Sequence, residues 1–247
     1  MELKTSRAIV TGGASGLGAA TASHFRAQGA AVTVLDRDPK GAEFAAGIGA
    51  GFAQTDVTSE ASVQAAIAQA VAAMGGLDIC VNCAGIATGE KTLGRDGPHV
   101  LENFRRTIEI NLIGSFNVLR LAAAQMAGNP GAEKGVIVNT ASIAAFDGQK
   151  GQAAYAASKA AIAGMTLPIA RDLAGNGIRI CAIAPGIFGT PMLRGLPQEV
   201  QDGLAAEVTF PKRLGEPEEF ARLAGFIVES GYLNGEVIRL DGALRMR

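Results

Sequence analysis

A chain of 247 residues is long enough for one large α/β domain with a substantial core. Hydrophobic residues make up 48% and charged ones 18%, which excludes a disordered chain, and a net charge of −1 offers no basic excess to nucleic acid. No apolar run reaches the roughly 18 residues of a membrane span, so no membrane partner is expected.

In chain order, short β-branched runs alternate with longer alanine-rich ones. Residues 8–10 read as a strand and 16–28 as a helix. Residues 31–35 and, more weakly, 51–54 are strands, and 63–74 carries apolar residues at helical spacing. Strands at 77–81 and 136–139 flank a long helix over 101–126. A helix over 155–173 follows, in which Pro168 should remove one backbone hydrogen bond and kink the helix beyond the reactive turn without ending it. Residues 178–183 form a strand, 216–229 a helix opened by Pro217 and two acids, and 236–240 a last strand. This βαβ order predicts a single-domain α/β protein over residues 1–247: a Rossmann-type, doubly wound parallel sheet with helices on both faces.

The first strand runs into Thr11-Gly12-Gly13-Ala14-Ser15-Gly16-Leu17-Gly18. Glycines at 12, 16 and 18 let backbone N–H groups approach a pyrophosphate, and the helix N-terminus adds a positive field. Many glycine turns bind nothing; the place of this one, between a strand and a helix, is what dinucleotide binding requires. Eighteen residues beyond Gly18, Asp36 ends the second strand. A carboxylate there accepts the ribose hydroxyls and repels a 2′-phosphate, which predicts NAD. Arg37 keeps an alternative open, since it would take a 2′-phosphate if Asp36 turned away.

Tyr155-Ala156-Ala157-Ser158-Lys159 places a phenol and an ammonium on one helix face. Thirteen residues upstream, Ser142 follows a strand. A phenol with an ordinary pKa near 10 is a poor base at neutral pH. Lowering that value by about 3 needs roughly 4 kcal/mol, which Lys159 and an oxidised nicotinamide ring together can supply in a dry cleft. The three cysteines are an odd number, against a disulfide framework. Cys80 and Cys83 are three apart on a strand-like run and face opposite ways, and there are only two histidines, so no metal site is expected. Reduced thiols and an opening Met-Glu-Leu-Lys without a secretory signal predict a cytoplasmic protein.

Together these residues resemble the short-chain dehydrogenase/reductase family over essentially the whole chain. Thr11-Gly12-x-x-x-Gly16-x-Gly18, Asp56-Val57, Asn82-Cys83-Ala84-Gly85, Asn111, Ser142, Tyr155 and Lys159, Pro185-Gly186 and Thr190 occur in the family's order. The resemblance implies an enzyme that interconverts a secondary alcohol and a ketone, with Tyr155 as general acid/base and Ser142 holding the substrate oxygen. Lys159 would tune Tyr155 and bind the nicotinamide ribose, and Asn111 would help hold a water that relays protons from Lys159. It implies cofactor contacts at Gly12, Ser15, Gly16, Leu17, Gly18, Asp36, Asp56, Val57, Asn82, Ala84, Gly85, Pro185, Gly186, Ile187 and Thr190. Two departures stand out: Cys83 replaces a second Asn, and Asp241-Gly242-Ala243 replaces the commoner Asp-Gly-Gly. Stretches 81–87, 164–173, 188–191 and 233–243 are similar to family members acting on 3-hydroxyacyl-CoA thioesters and hydroxysteroids. That likeness implies NAD, a place in fatty-acid metabolism and a homotetramer.

Residues 187–212, with Phe188, Met192, Leu193, Leu196, Leu204, Val208 and Phe210, read as a mobile apolar lid over the substrate. Phe188 and Leu196 are taken as substrate contacts, with Gln149 and Gln152 for its polar part. Lys91 and Arg95 could meet the phosphates of a CoA ester. A hydroxysteroid or other secondary-alcohol dehydrogenase and a 3-oxoacyl-carrier-protein reductase are the alternative enzymes; Asp36 speaks against the NADPH that the reductase would use. A nucleotide-binding scaffold without turnover has no need of Ser142, Tyr155, Lys159 and Asn111 together.

Overall fold

The computed structural model describes residues 1–246, and Met192 by its backbone alone; the side chain of Met192 and the predicted domain's last residue, Arg247, lie outside the described part. The elements are β1 (Arg7–Thr11), α1 (Gly16–Ala27), β2 (Ala31–Asp36), α2 (Gly41–Gly47), β3 (Gly51–Gln54), α3 (Glu60–Met74), β4 (Ile79–Asn82), α4 (Leu101–Ile108) and α5 (Gly114–Met126). They continue with β5 (Gly135–Thr140), α6 (Ala144–Asp147), α7 (Ala153–Leu173), β6 (Ile178–Pro185), α8 (Pro191–Arg194), α9 (Gln198–Glu207), α10 (Pro217–Glu229) and β7 (Val237–Leu240). Seven parallel strands stand in the order β3-β2-β1-β4-β5-β6-β7. This is the Rossmann-type doubly wound sheet that the alternation predicts. The order reverses between β1 and β4, where the loops leaving the strands diverge and open a crevice at the sheet's carboxyl edge.

Strand alternation builds two cores from adjacent residues. Val10, Val34, Val81 and Val138 face one layer with Phe25 of α1 and Phe220 of α10. Ile9, Leu35, Cys80 and Ile137 face the other with Ile67 of α3, Leu119 of α5 and Ile169 of α7. Every residue of β6 is buried, whereas β7, at the sheet edge, is half-buried throughout.

The predicted helix over residues 101–126 is interrupted by one π-helical turn, Glu109–Ile113, between α4 and α5. Apolar spacing does not register such a turn, because an extra residue only shifts the phase of the stripe. The short α2 was also not legible as a periodic segment. The α7 helix runs through Pro168 without ending, as expected.

Candidate active site

The glycine turn after β1 is shaped by close main-chain approach. Gly12 has φ +60°, and a Cβ there would lie 2.8 Å from the Ala84 backbone. A Cβ on Gly18 would collide with the Gly12 carbonyl oxygen. Ser15 is the extended N-cap of α1 and its side chain caps nothing, so the first-turn N–H groups remain directed at the crevice. Asp36 is not turned away: its Oδ2 accepts from Ala14 N and its Oδ1 from Asp38 N, both at 3.0 Å. Each oxygen keeps a lone pair for a hydroxyl. Gly12, Ser15, Gly16, Leu17, Gly18, Asp36, Asp56, Val57, Ala84, Gly85 and Thr190 line one cleft of about 420 Å³. A cradle without Cβ atoms, a helix N-terminus and a fixed carboxylate at one end are together the donor set that a dinucleotide requires. Asp56 is exposed and bonds locally to Thr58, whose N–H and Oγ1 hold its carboxyl below the usual range.

Across the cleft, Ser142 follows β5 and its Oγ accepts from Ala144 N at 3.1 Å. Lys159 is buried, donates from Nζ to Thr140 O at 2.7 Å, and stands 5.8 Å from the centre of the Tyr155 ring. Gly85 brings the cofactor cleft to this cluster, since a Cβ there would lie 3.7 Å from Lys159 Nζ and 3.1 Å from Asn111 Oδ1. Asn111 sits in the π-helical turn and is fully buried. Its amide binds both main-chain groups of one residue, accepting from Ile86 N at 2.8 Å and donating to Ile86 O at 2.9 Å, and it also donates to Ser158 Oγ at 3.1 Å.

The electrostatics correct one expectation. Burial pushes the Tyr155 phenol up, and the neighbouring Ser142 hydroxyl pulls it only part of the way back. The Lys159 ammonium is itself pulled down to about 8 by burial. The protein's groups alone therefore do not make a low-pKa phenol, because in so dry a pocket desolvation outweighs the charge that an i,i+4 lysine brings. Cys83, also in the cleft, is pushed up to about 11 by burial and is a neutral thiol at pH 7. Among the described residues no group of three or more His, Cys, Asp or Glu side chains could hold a metal ion.

Other predicted residues fall elsewhere. Asn82 does not line the cleft: its Nδ2 donates to Asn139 Oδ1 at 2.9 Å and Ser115 O at 3.3 Å, inside the sheet. Phe188 is buried against Gly215 in the core, and with Ile187 it lines a separate cavity of about 250 Å³. Its large apolar ring is better buried there than left open to substrate. Val208 is also buried, whereas Leu196 and Phe210 are exposed, so the predicted lid is anchored at Phe188 and Val208 and open between them and at Phe210. Pro185 and Gly186 form an anchored turn: Ile143 N donates to Pro185 O at 3.1 Å and Gly186 N to Leu240 O at 2.9 Å. Gln149 and Gln152 line a hollow of about 440 Å³ with Lys91, Lys150 and Ala156, and Gln152 Oε1 accepts from Gln149 N at 3.0 Å. Sequence reading missed Arg106 and Ile110, which line the cofactor cleft. Their four-residue spacing on the 101–126 helix was the available signal.

This glycine cradle joined to a Ser–Tyr–Lys cluster is matched by the short chain dehydrogenase model over residues 6–201, and the chain belongs to that family of oxidoreductases. The 3-hydroxyacyl-CoA dehydrogenase type-2 of Homo sapiens is 55% identical over 97% of this chain and 95% of its own length. The protein of the same name from Drosophila melanogaster is 56% identical over 99% of both. The crystal structure of 3-hydroxyacyl-CoA dehydrogenase type-2 from Mycobacterium avium superposes with a TM-score of 0.92 at 44% identity, covering 97% of this chain and 96% of that one.

Proposed function

We propose that this chain is an NAD-dependent 3-hydroxyacyl-CoA dehydrogenase that interconverts 3-hydroxyacyl and 3-oxoacyl thioesters. The carrying observation is that Gly85, which lines the same cleft as Asp36, stands beside Lys159 Nζ, which in turn lies 5.8 Å from the centre of the Tyr155 ring, with the Ser142 hydroxyl next to the phenol. NAD⁺, when bound, accepts the hydride. Tyr155 takes the hydroxyl proton in oxidation and returns it in reduction. Ser142 fixes the substrate oxygen against Tyr155. Lys159 holds the nicotinamide ribose, kept in place by Thr140 O. The side-chain amide of Asn111 is committed to Ile86 and Ser158, so a relay water falls to its main-chain carbonyl, which Ser115 Oγ bonds from one side. Burial disfavours the Tyr155 phenolate, and the positive charge that a bound oxidised nicotinamide would bring favours it.

The thioester is favoured over a steroid by the relatives named for that substrate and by Lys91 and Lys150, two cations in the hollow beside Gln149, Gln152 and the Tyr155-bearing helix. The hollow's two ammonium groups suit a polyanionic phosphate chain. Residues 187–212 act as the lid, with Leu196 reaching substrate only on closure. Exposed Leu101, Phe116, Leu167, Phe226 and Tyr232 support association, and we infer a homotetramer that sedimentation would weigh. No helix among the described residues is long and apolar enough to cross a membrane. Three free thiols accord with a reducing, cytoplasmic compartment, and the relatives named for 3-hydroxyacyl-CoA support a role in fatty-acid metabolism. The test compares acetoacetyl-CoA reduction by NADH with reduction of a ketosteroid. A kcat/KM at least about tenfold higher for the thioester supports the proposal; equal values contradict it.

A further inference from the structure

Ser142 and Tyr155 are carried by one stretch of chain. Its only regular element before α7 is α6, four residues long, and a helix of that length has no stability of its own. The last two residues of α6, Phe146 and Asp147, are gripped from the last strand of the sheet. Arg239 Nη2 donates to Asp147 Oδ2 at 2.5 Å, and the guanidinium lies 5.3 Å from the centre of the Phe146 ring. Arg239 is itself fixed, with Nε donating to Asp241 Oδ2 at 2.7 Å and Nη2 to Leu244 O at 3.1 Å. The strand pair supports both partners: β7 lies beside β6 with Leu240 opposite Pro185, and Pro185 O accepts from Ile143 N, the residue after Ser142.

We propose that Arg239 is a positioning residue for the reaction, a clamp that holds the α6 turn and so keeps Ser142 facing Tyr155. This rests on the roles given to Ser142 and Tyr155 above. The guanidinium neutralises two carboxylates and stacks on an exposed ring at once, which a lysine reproduces only in charge. Asp147 depends on it more than Asp241 does: the two side chains are 18% and 8% exposed, and Asp241 also pairs with Arg245 Nη1 at 3.1 Å, whereas Arg239 is the cation paired with Asp147. The cofactor cradle of Gly12–Gly18 and Asp36 lies on the far side of the cleft and shares no contact with this cluster. A displaced Ser142 therefore lowers turnover and leaves cofactor affinity in place.

The test measures kcat, KM for acetoacetyl-CoA, Kd for NAD⁺ and thermal midpoint in Arg239→Met, Arg239→Lys, Asp147→Asn, the Arg239→Met/Asp147→Asn double variant and Ser142→Ala. Arg239→Met is expected to lower kcat by roughly tenfold or more, with Kd for NAD⁺ within about twofold of the parent. Arg239→Lys should recover part of kcat. Asp147→Asn should lower kcat in the same way, and the double variant should fall no further than Arg239→Met. Should Arg239→Met not fold, Asp147→Asn carries the same prediction. A kcat within about twofold of the parent in Arg239→Met overturns the clamp. Equal losses of kcat and NAD⁺ affinity without recovery by lysine also overturn it, since they report general loosening. An unchanged kcat in Ser142→Ala overturns the Ser142 assignment itself and the clamp with it.

Discussion

Around the Gly12–Gly18 turn the chain meets its ligand with main chain: missing Cβ atoms, a helix N-terminus and one carboxylate braced by two backbone N–H groups. Across the cleft the Ser142–Tyr155 side is made of functional side chains, held by main-chain groups, as Lys159 is by Thr140 O, and by other side chains, as Asp147 is by Arg239. The first region is fixed by a few neighbouring residues. The second is assembled from β5, α7, β6 and β7, and its chemistry depends on burial that no local spacing encodes. The cofactor side should therefore respond to substitution in affinity, and the reactive side in turnover and in the pH dependence of stability.

The largest effect expected on the cofactor side is that of Asp36→Ala. Losing a carboxylate that accepts the ribose hydroxyls should weaken NAD⁺ by about 2–3 kcal/mol, some 30- to 150-fold, and narrow the preference over NADP⁺. Calorimetric titration with both nucleotides checks this, and an unchanged NAD⁺ Kd would break the contrast between the two regions.

On the reactive side, Lys159 loses its charge more readily when folded, its pKa falling from 10.5 to about 8. The unfolded chain then binds more protons between about pH 8 and 10.5, so the protein without cofactor gains stability as pH rises through that window. Below the window the penalty is complete, on the order of 3 kcal/mol. Lys159→Met should therefore abolish activity yet raise stability at pH 7 by about 1–3 kcal/mol, the lost bond to Thr140 O offsetting part of the gain. Its advantage should shrink at pH 10. Urea unfolding at both pH values reads this, and a destabilised Lys159→Met at pH 7 would show that burial does not oppose the ammonium.

The smallest effect lies at the sheet edge. Ala243 has φ +61°, a left-handed conformation that alanine rarely adopts, in the position where the family commonly has glycine. Ala243→Gly should stabilise the fold by up to about 1 kcal/mol, seen as a rise in thermal midpoint with kcat unchanged.

The same contrast explains what the sequence made legible. The glycine turn, Asp36 and the Tyr155–Lys159 pair could be placed because each is local, a strand–turn–helix or one helix face. The topology could be read because β-branched strands and alanine-rich helices alternate cleanly. Asn82 was misplaced because its position in the motif cannot reveal that Asn139 stands opposite it on the next strand. Phe188 was misplaced because an apolar residue in a loop looks alike whether it covers substrate or packs on Gly215. The local π-helical turn around Asn111 only shifts the phase of the apolar stripe, and the clamp from Arg239 joins residues distant in sequence, which no spacing rule reaches. The phenol's upward shift was missed for the same reason: burial is a property of the assembled fold.

The most direct test of the central claim pairs turnover with cofactor binding in Tyr155→Phe. Removing one hydroxyl on the reactive side should lower kcat by at least about 10²-fold while the Kd for NAD⁺ stays within about twofold of the parent. Parent-like turnover in Tyr155→Phe would contradict the account.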